Sequence, residues 1–188
     1  MNGAGEARSL QLIRACRLQP DEPLIAVGAA ASHLVEALIR AGYRDVTVLD
    51  PSAEALAGLS QRLAGHRSQV TLVPEAVARF HPHRRYALWH DDAVFHRLIH
   101  AEERQQYLEA LEEALRAEGH LIIATFGPDG PEEEGPPVRR YSAATLPLEF
   151  GRHFELAEHS LEVEQTPLDP PRQYLHCRFR RHAPARLG

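Results

Sequence analysis

Four short apolar runs, Leu24 to Val27, Val46 to Leu49, Val70 to Val73 and Tyr86 to His90, recur through the first half of the chain with turn residues between them. Each is too short for a stable helix and suits a buried strand. Helical periodicity fills the intervals: residues 32–40 place Leu34, Val35, Leu38 and Ile39 on one face, with Gly42 as a cap, and residues 53–63 (AEALAGLSQRL) follow the Asp50-Pro51-Ser52 turn. Parallel neighbours need helical, right-handed crossovers. This alternation, carried as far as residue 126, therefore predicts an open parallel sheet covered on both faces.

The rest of the chain extends that pattern and then breaks it. Residues 8–16 form a leading helix closed by Pro20 and Pro23, so that residues 1–20 make an N-terminal helical segment. Residues 102–117 carry the clearest helix, with Tyr107, Leu108, Leu111, Ala114 and Leu115 inward and Gly119 ending it before a fifth strand, Leu121 to Phe126. Residues 127–140, dense in Gly, Pro and Glu, read as an exposed loop. A short helix near Ala143 to Phe150 precedes two strands, Phe154 to Glu164 and Gln173 to Arg181. Only QTPLDPPR separates these two, so they should pair antiparallel at one edge. The expectation is one α/β domain over residues 1–188 with about seven strands.

Composition removes several functions. Acidic residues outnumber basic ones 26 to 21, and the longest purely basic runs are pairs such as Arg84-Arg85, which argues against a nucleic-acid partner. All 21 basic residues are Arg, so Schiff-base and lysine-base chemistry are excluded. No apolar run approaches a membrane span and the start lacks a secretory pattern; the expected setting is cytoplasmic, with Cys16 and Cys177 as thiols. Twelve histidines raise a metal site, but HExxH spacing is missing and none is expected.

In an open parallel sheet the ligand crevice lies beyond the carboxyl ends of the strands, where strand order reverses. After the first strand come Gly28-Ala29-Ala30-Ala31-Ser32, small residues that let backbone approach a ligand at a helix start. Asp50 follows the second strand, 22 residues beyond Gly28, a spacing that suits a carboxylate on ribose hydroxyls. The plainer alternative is that the small residues allow tight packing and Asp50 caps the next helix. A nicotinamide cofactor fits less well, because His33 stands where the third Gly of G-x-G-x-x-G belongs.

Residues 24–58, YALWHDDAVFHRL at 86–98, GHLIIATFGPDGPEEEGPPVRRYS at 119–142 and QYLHCRFRR at 173–181 resemble a small bacterial family of class I S-adenosylmethionine-dependent methyltransferases. The family's blocks run roughly VGGGAS, VTVLD, WHDRAVFH and ATFAPDGP. The resemblance implies a Rossmann-like, seven-stranded sheet, mostly parallel with a C-terminal antiparallel hairpin, and S-adenosylmethionine as cofactor. It implies that Gly28, Ala30 and Ser32 lie along the methionine part, that Asp50 holds the ribose, that Pro51 borders the adenine, and that Glu75 and Ala76 read its other side. It also implies that His90 and Asp91 face the sulfonium and a small-molecule acceptor. Asp91, Asp92 and His96 are the candidates for a base, against the plainer readings that the aspartates hold the loop through backbone hydrogen bonds and that His96 is a structural partner at the crevice, and Trp89 either lines the acceptor pocket or packs in the core.

Three departures carry consequences. VGGGAS has become VGAAAS, so Ala29 and Ala30 bring two Cβ atoms to the loop, where a positive φ would be disfavoured. The family's Trp- and Tyr-bearing N-terminal segment is shortened, which leaves enclosure of the acceptor unexplained. The family's Cys after the PDGP turn is replaced by Glu133 or Glu134. These departures motivate a rival reading: a non-catalytic methyltransferase-like protein that binds a partner chain or metabolite, with an exposed apolar surface beside Trp89 and Phe95 covered by a second copy in a homodimer.

Overall fold

The computed structural model describes residues 3–130, 137–164 and 172–183. Its elements are α1 (Gly3–Ala15), β1 (Leu24–Val27), α2 (Leu34–Arg40), β2 (Val46–Leu49), α3 (Ala53–Arg62), β3 (Val70–Val73), β4 (Tyr86–Asp92), α4 (Ala101–Ala114), β5 (Leu115–Phe126), α5 (Leu146–Phe150), β6 (Phe154–Glu164) and β7 (Arg172–Arg181). They build one seven-stranded sheet in the order β3-β2-β1-β4-β5-β7-β6. The first five strands run parallel, β7 runs antiparallel between β5 and β6, and β6 forms the edge. Strands and hairpin pairing match the sequence expectation, while the link between β6 and β7 falls outside the described residues.

Strand order reverses between β1 and β4, which creates the crevice. Chain alternation sends β4 side chains to opposite faces. Trp89 joins Tyr107, Phe95, Leu121, Ile123, Cys177 and Phe179 in a core under α4 and α5, while Leu88 joins Leu12, Leu24, Leu34, Val35 and Ile122 under α1, α2 and α3.

Two expectations need correction. The alternation is not strict, because β3 reaches β4 through a 3-10 turn, Val77–Arg79, whose Val77 and nearby Phe80 pack into the first core. Helix α4 stops at Ala114 and the chain is extended from Leu115 onward, so Gly119 lies inside β5 and does not end a helix. It sits after Glu118, which has φ +61°, where the pairing of β4 with β5 shifts register. A Cβ on Gly119 would lie 2.8 Å from the Arg116 carbonyl oxygen, so the tight bulge itself calls for glycine.

The 127–140 loop is only partly described. Gly127 and Gly130 are buried, Pro128 and Asp129 are exposed, and Glu133 and Glu134 lie outside the described residues. Among the described residues no helix is long and apolar enough to cross a membrane.

Candidate functional site

At the end of β1 the backbone turns through Gly28 with φ +74°. A Cβ there would lie 2.3 Å from Val94 Cγ2 and 3.3 Å from the Asp92 carbonyl oxygen, so glycine is required twice, by conformation and by space. Ala29 and Ala30 are fully buried in the core on the α1 and α2 side, and neither has a positive φ. The expected crowding of the crevice by these alanines is therefore corrected: the one left-handed position keeps its glycine, and the two methyl groups are packing atoms. Ser32 Oγ donates to the Ala29 carbonyl at 3.1 Å and accepts the Leu34 N–H at 3.4 Å, bracing the turn.

Asp50, at the end of β2, ties two loops together. Its Oδ2 accepts the Ala30 N–H at 3.3 Å and its Oδ1 accepts the Ser52 N–H at 2.9 Å. Ser52 itself caps α3 by accepting the Ala55 N–H, so the helix-capping alternative for Asp50 passes to its neighbour. Pro51 is exposed beside it, and Glu75 and Ala76 are half-buried just beyond β3. The structure thus gathers Gly28, Ala30, Ser32, Asp50, Pro51, Glu75 and Ala76 along the carboxyl ends of β1, β2 and β3.

Sequence reasoning missed the brace beneath this rim. Arg62, the last residue of α3, donates from Nη2 to the carbonyls of Ala30 at 2.9 Å and Ser32 at 3.0 Å, and pairs through Nε with Glu36. No periodicity marks a helix-terminal Arg for this task. Glu6 of α1 adds a second brace by accepting the His33 N–H at 2.8 Å, which pins the first turns of α1 to the start of α2.

The end of β4 divides its polar residues between the two faces. Asp91 is fully buried on the α4 side, where it accepts N–H bonds from Val94 at 2.8 Å and Phe95 at 3.1 Å. The Tyr107 hydroxyl also bonds Asp91 and accepts the Trp89 indole N–H at 2.9 Å. Burial pushes the Asp91 carboxyl up to about 7, opposed by the Val94 N–H, the Tyr107 hydroxyl and the Phe95 N–H. These hydrogen bonds hold the turn that follows β4. Trp89 and Phe95 are likewise fully buried, so neither lies at an exposed apolar surface.

His90 lies on the opposite, α1-side face and is fully buried with neither ring nitrogen hydrogen-bonded. Burial, with His176 nearby, pushes its pKa down to about 3. His96, in the turn after β4, is fully buried and stacked on Phe126 at 4.5 Å between centroids; burial also holds it down, to about 3. His176 of β7 was not singled out from sequence. Alternation in YLHCRFRR, which places Leu175, Cys177 and Phe179 in the opposite core, could have found it. It is fully buried, its ring nitrogens have no hydrogen-bond partner, and burial pushes it down to about 4. Both thiols are pushed up to about 12, chiefly by burial, and are inert.

Among the described residues no three His, Cys, Asp or Glu side chains stand close enough to share a metal ion. An open groove between α1 and α2, lined by Glu6, Leu10, Arg14 and Arg40, brings no reactive pair together.

No family model matches the sequence, and no curated protein matches it. Solved structures do share its fold. The N-methyltransferase NodS from Bradyrhizobium japonicum WM9 superimposes with a TM-score of 0.77, at 17% identity over 97% of this chain and 98% of that one. The Burkholderia thailandensis 1,6-didemethyltoxoflavin-N1-methyltransferase, solved with 1,6-didemethyltoxoflavin and S-adenosylhomocysteine, gives 0.77 at 21% identity over 97% and 80% of the two chains. A S-adenosylmethionine-dependent methyltransferase from Clostridium acetobutylicum ATCC 824 gives 0.73 at 10% identity over 95% and 91%. The chain therefore has the Rossmann-like, seven-stranded fold of these methyltransferases.

Proposed function

We propose that this chain binds S-adenosylmethionine in the crevice at the ends of β1, β2 and β3 and transfers its methyl group to a small-molecule acceptor held beside the end of β4. The observation that carries this reading is the pairing of Gly28, in the left-handed conformation, with Asp50, whose carboxylate spans the loops after β1 and β2. Gly28, Ala30 and Ser32 would hold the methionine part, Asp50 and Pro51 the ribose and adenine edge, Glu75 and Ala76 the far side of the adenine, and His90 the reacting end. When bound, S-adenosylmethionine supplies a sulfonium-bound methyl that passes to the acceptor's lone pair while the C–S bond electrons return to sulfur.

The chain's own residues position and enclose. Arg62 and Asp50 fix the loop that cradles the cofactor, Val94 closes over Gly28, and α1 excludes water from the α1-side face of β4. Such a reaction needs alignment more than a strong base, because the acceptor supplies the nucleophile and the leaving thioether needs no proton. Fold kinship with enzymes that bind S-adenosylhomocysteine supports the same reading.

Calorimetry with S-adenosylhomocysteine tests it. Micromolar binding that weakens at least tenfold in Asp50→Ala is the expected result, and no binding at millimolar ligand overturns it.

A further inference from the structure

The face of the sheet beneath α1 holds a polar cluster that folding alone does not explain. Residue pairing places Asp92 of β4, Ala124 of β5 and His176 of β7 side by side on one level, with His90 one pleat below. Two strand spacings separate Asp92 from His176, about 10 Å, with the small side chain of Ala124 between them on the sheet. Ser9 of α1 is fully buried with its hydroxyl unbonded, as are the ring nitrogens of His90 and His176, while His96, equally buried, bonds the Ala124 backbone. Unpaired buried polar atoms are costly and in native proteins call for a partner. Three such groups on one face call for a shared one.

The surroundings define its chemistry. His96 stacks on Phe126, Phe126 lies 5.0 Å from Tyr174, and Tyr174 lies 6.4 Å from His176 between ring centroids, so an aromatic wall runs along one side. Neutral imidazoles each offer one donor and one acceptor. An anion here would have Asp92 as a neighbour, and a cation would meet imidazole donors and the Arg8 guanidinium, which bonds Ser160 at 2.9 Å next to His176 in the pairing. A flat uncharged ligand with mixed donors and acceptors satisfies every group.

We propose that His90, His96 and His176, with Ser9, form the hydrogen-bonding side of the acceptor site, and that the acceptor is an uncharged planar nitrogen heterocycle carrying ring N–H and carbonyl groups, laid against the Phe126–Tyr174 wall. This rests on the methyl-transfer reading for its name as an acceptor site. The first turns of α1 roof the cluster, so a ligand enters by lifting Glu6 from the His33 N–H and Arg8 from Ser160.

Calorimetry with lumazine, xanthine and 2-quinolone as uncharged heterocycles, and with benzoate and phenethylamine as charged aromatics, tests it on protein with and without saturating S-adenosylhomocysteine. At least one heterocycle should bind at submillimolar concentration and tenfold tighter than either charged probe. His176→Asn should weaken it at least tenfold without changing S-adenosylhomocysteine affinity, and Ala124→Val, which adds bulk between Asp92 and His176 without removing a polar group, should do the same. Imidazole 15N resonances should shift on binding. Tighter binding of benzoate or phenethylamine overturns the ligand class; failure of all three heterocycles in protein that binds S-adenosylhomocysteine overturns the site and leaves methyl transfer standing. Heterocycle binding in protein that never binds S-adenosylhomocysteine keeps the site and removes the methyl-transfer reading.

Discussion

The Asp91 carboxylate accepts the backbone N–H of Val94 at 2.8 Å and so holds Val94 in place, with its side chain where a Gly28 side chain would be. One hydrogen bond on the α4 side of the sheet thereby shapes the crevice on the other. Ala93, between the two, is held at φ +61°, a conformation alanine adopts only when its surroundings enforce it.

Asp91→Ala should therefore destabilise the fold, because it leaves the Val94 and Phe95 N–H groups and the Tyr107 hydroxyl without their acceptor. Losing a buried multi-bond carboxylate costs about 3 kcal/mol. Chemical denaturation measures it; a loss below 1 kcal/mol would mean that the turn is held by other contacts.

Gly28→Ala combines a left-handed alanine with a Cβ driven into Val94, at a joint cost of about 3 kcal/mol. Adding Val94→Ala should recover the overlap but not the backbone strain, so the double variant regains roughly half the lost stability. Full additivity of the two substitutions in a denaturation cycle would disprove the contact.

How the strands were legible, and where they were not, follows from what each residue must satisfy. Leu24 and Val46 head runs that are buried throughout because both sheet faces are covered there, and their ends could be read closely. Residues 115–118 (LRAE) carry good helix formers and continue the periodicity of α4, yet the chain is extended there and Leu115 pairs with Tyr86 of β4, because tertiary contact overrides a weak propensity. Gly28 and Asp50 were visible because chemistry at a known sheet position needs those residue types. His176 was not, since its place beside Ala124 depends on β7 inserting between β5 and β6, a register that no local pattern specifies.

Acid should unfold the protein steeply. His90, His96 and His176 sit at about 3, 3 and 4 in the fold against an ordinary value of 6.5, so the unfolded chain takes up three protons as pH falls below 6.5 and the native chain does not. Their stabilisation is complete above 6.5 and is lost below it. Asp91, held up at about 7, works in the opposite sense between its ordinary 3.8 and 7, because only the native chain keeps that proton. Three against one leaves a net loss of about 2–3 kcal/mol per pH unit between pH 6 and 5. Tm measured from pH 7.5 to 5 should fall accordingly, and His90→Gln should reduce the slope by about half; a flat profile would show that the imidazoles are solvated.

Restoring the glycines is the sharpest check on the rival, non-catalytic reading. If Ala29 and Ala30 crowded a cofactor, Ala29→Gly with Ala30→Gly would create or strengthen binding. Both methyl groups instead lie in the α1–α2 core, at backbone angles alanine accepts without strain. Glycine there loses buried contact and adds freedom to the unfolded chain, at about 1 kcal/mol or more for each site. The double variant should thus melt earlier and bind S-adenosylhomocysteine no more tightly than the natural chain. Because Arg62 bonds the Ala30 carbonyl and Asp50 the Ala30 N–H, a looser backbone at residue 30 should if anything weaken binding. Tighter binding in the double variant, measured by calorimetry beside a melting curve, would revive the view that this loop has lost its ligand.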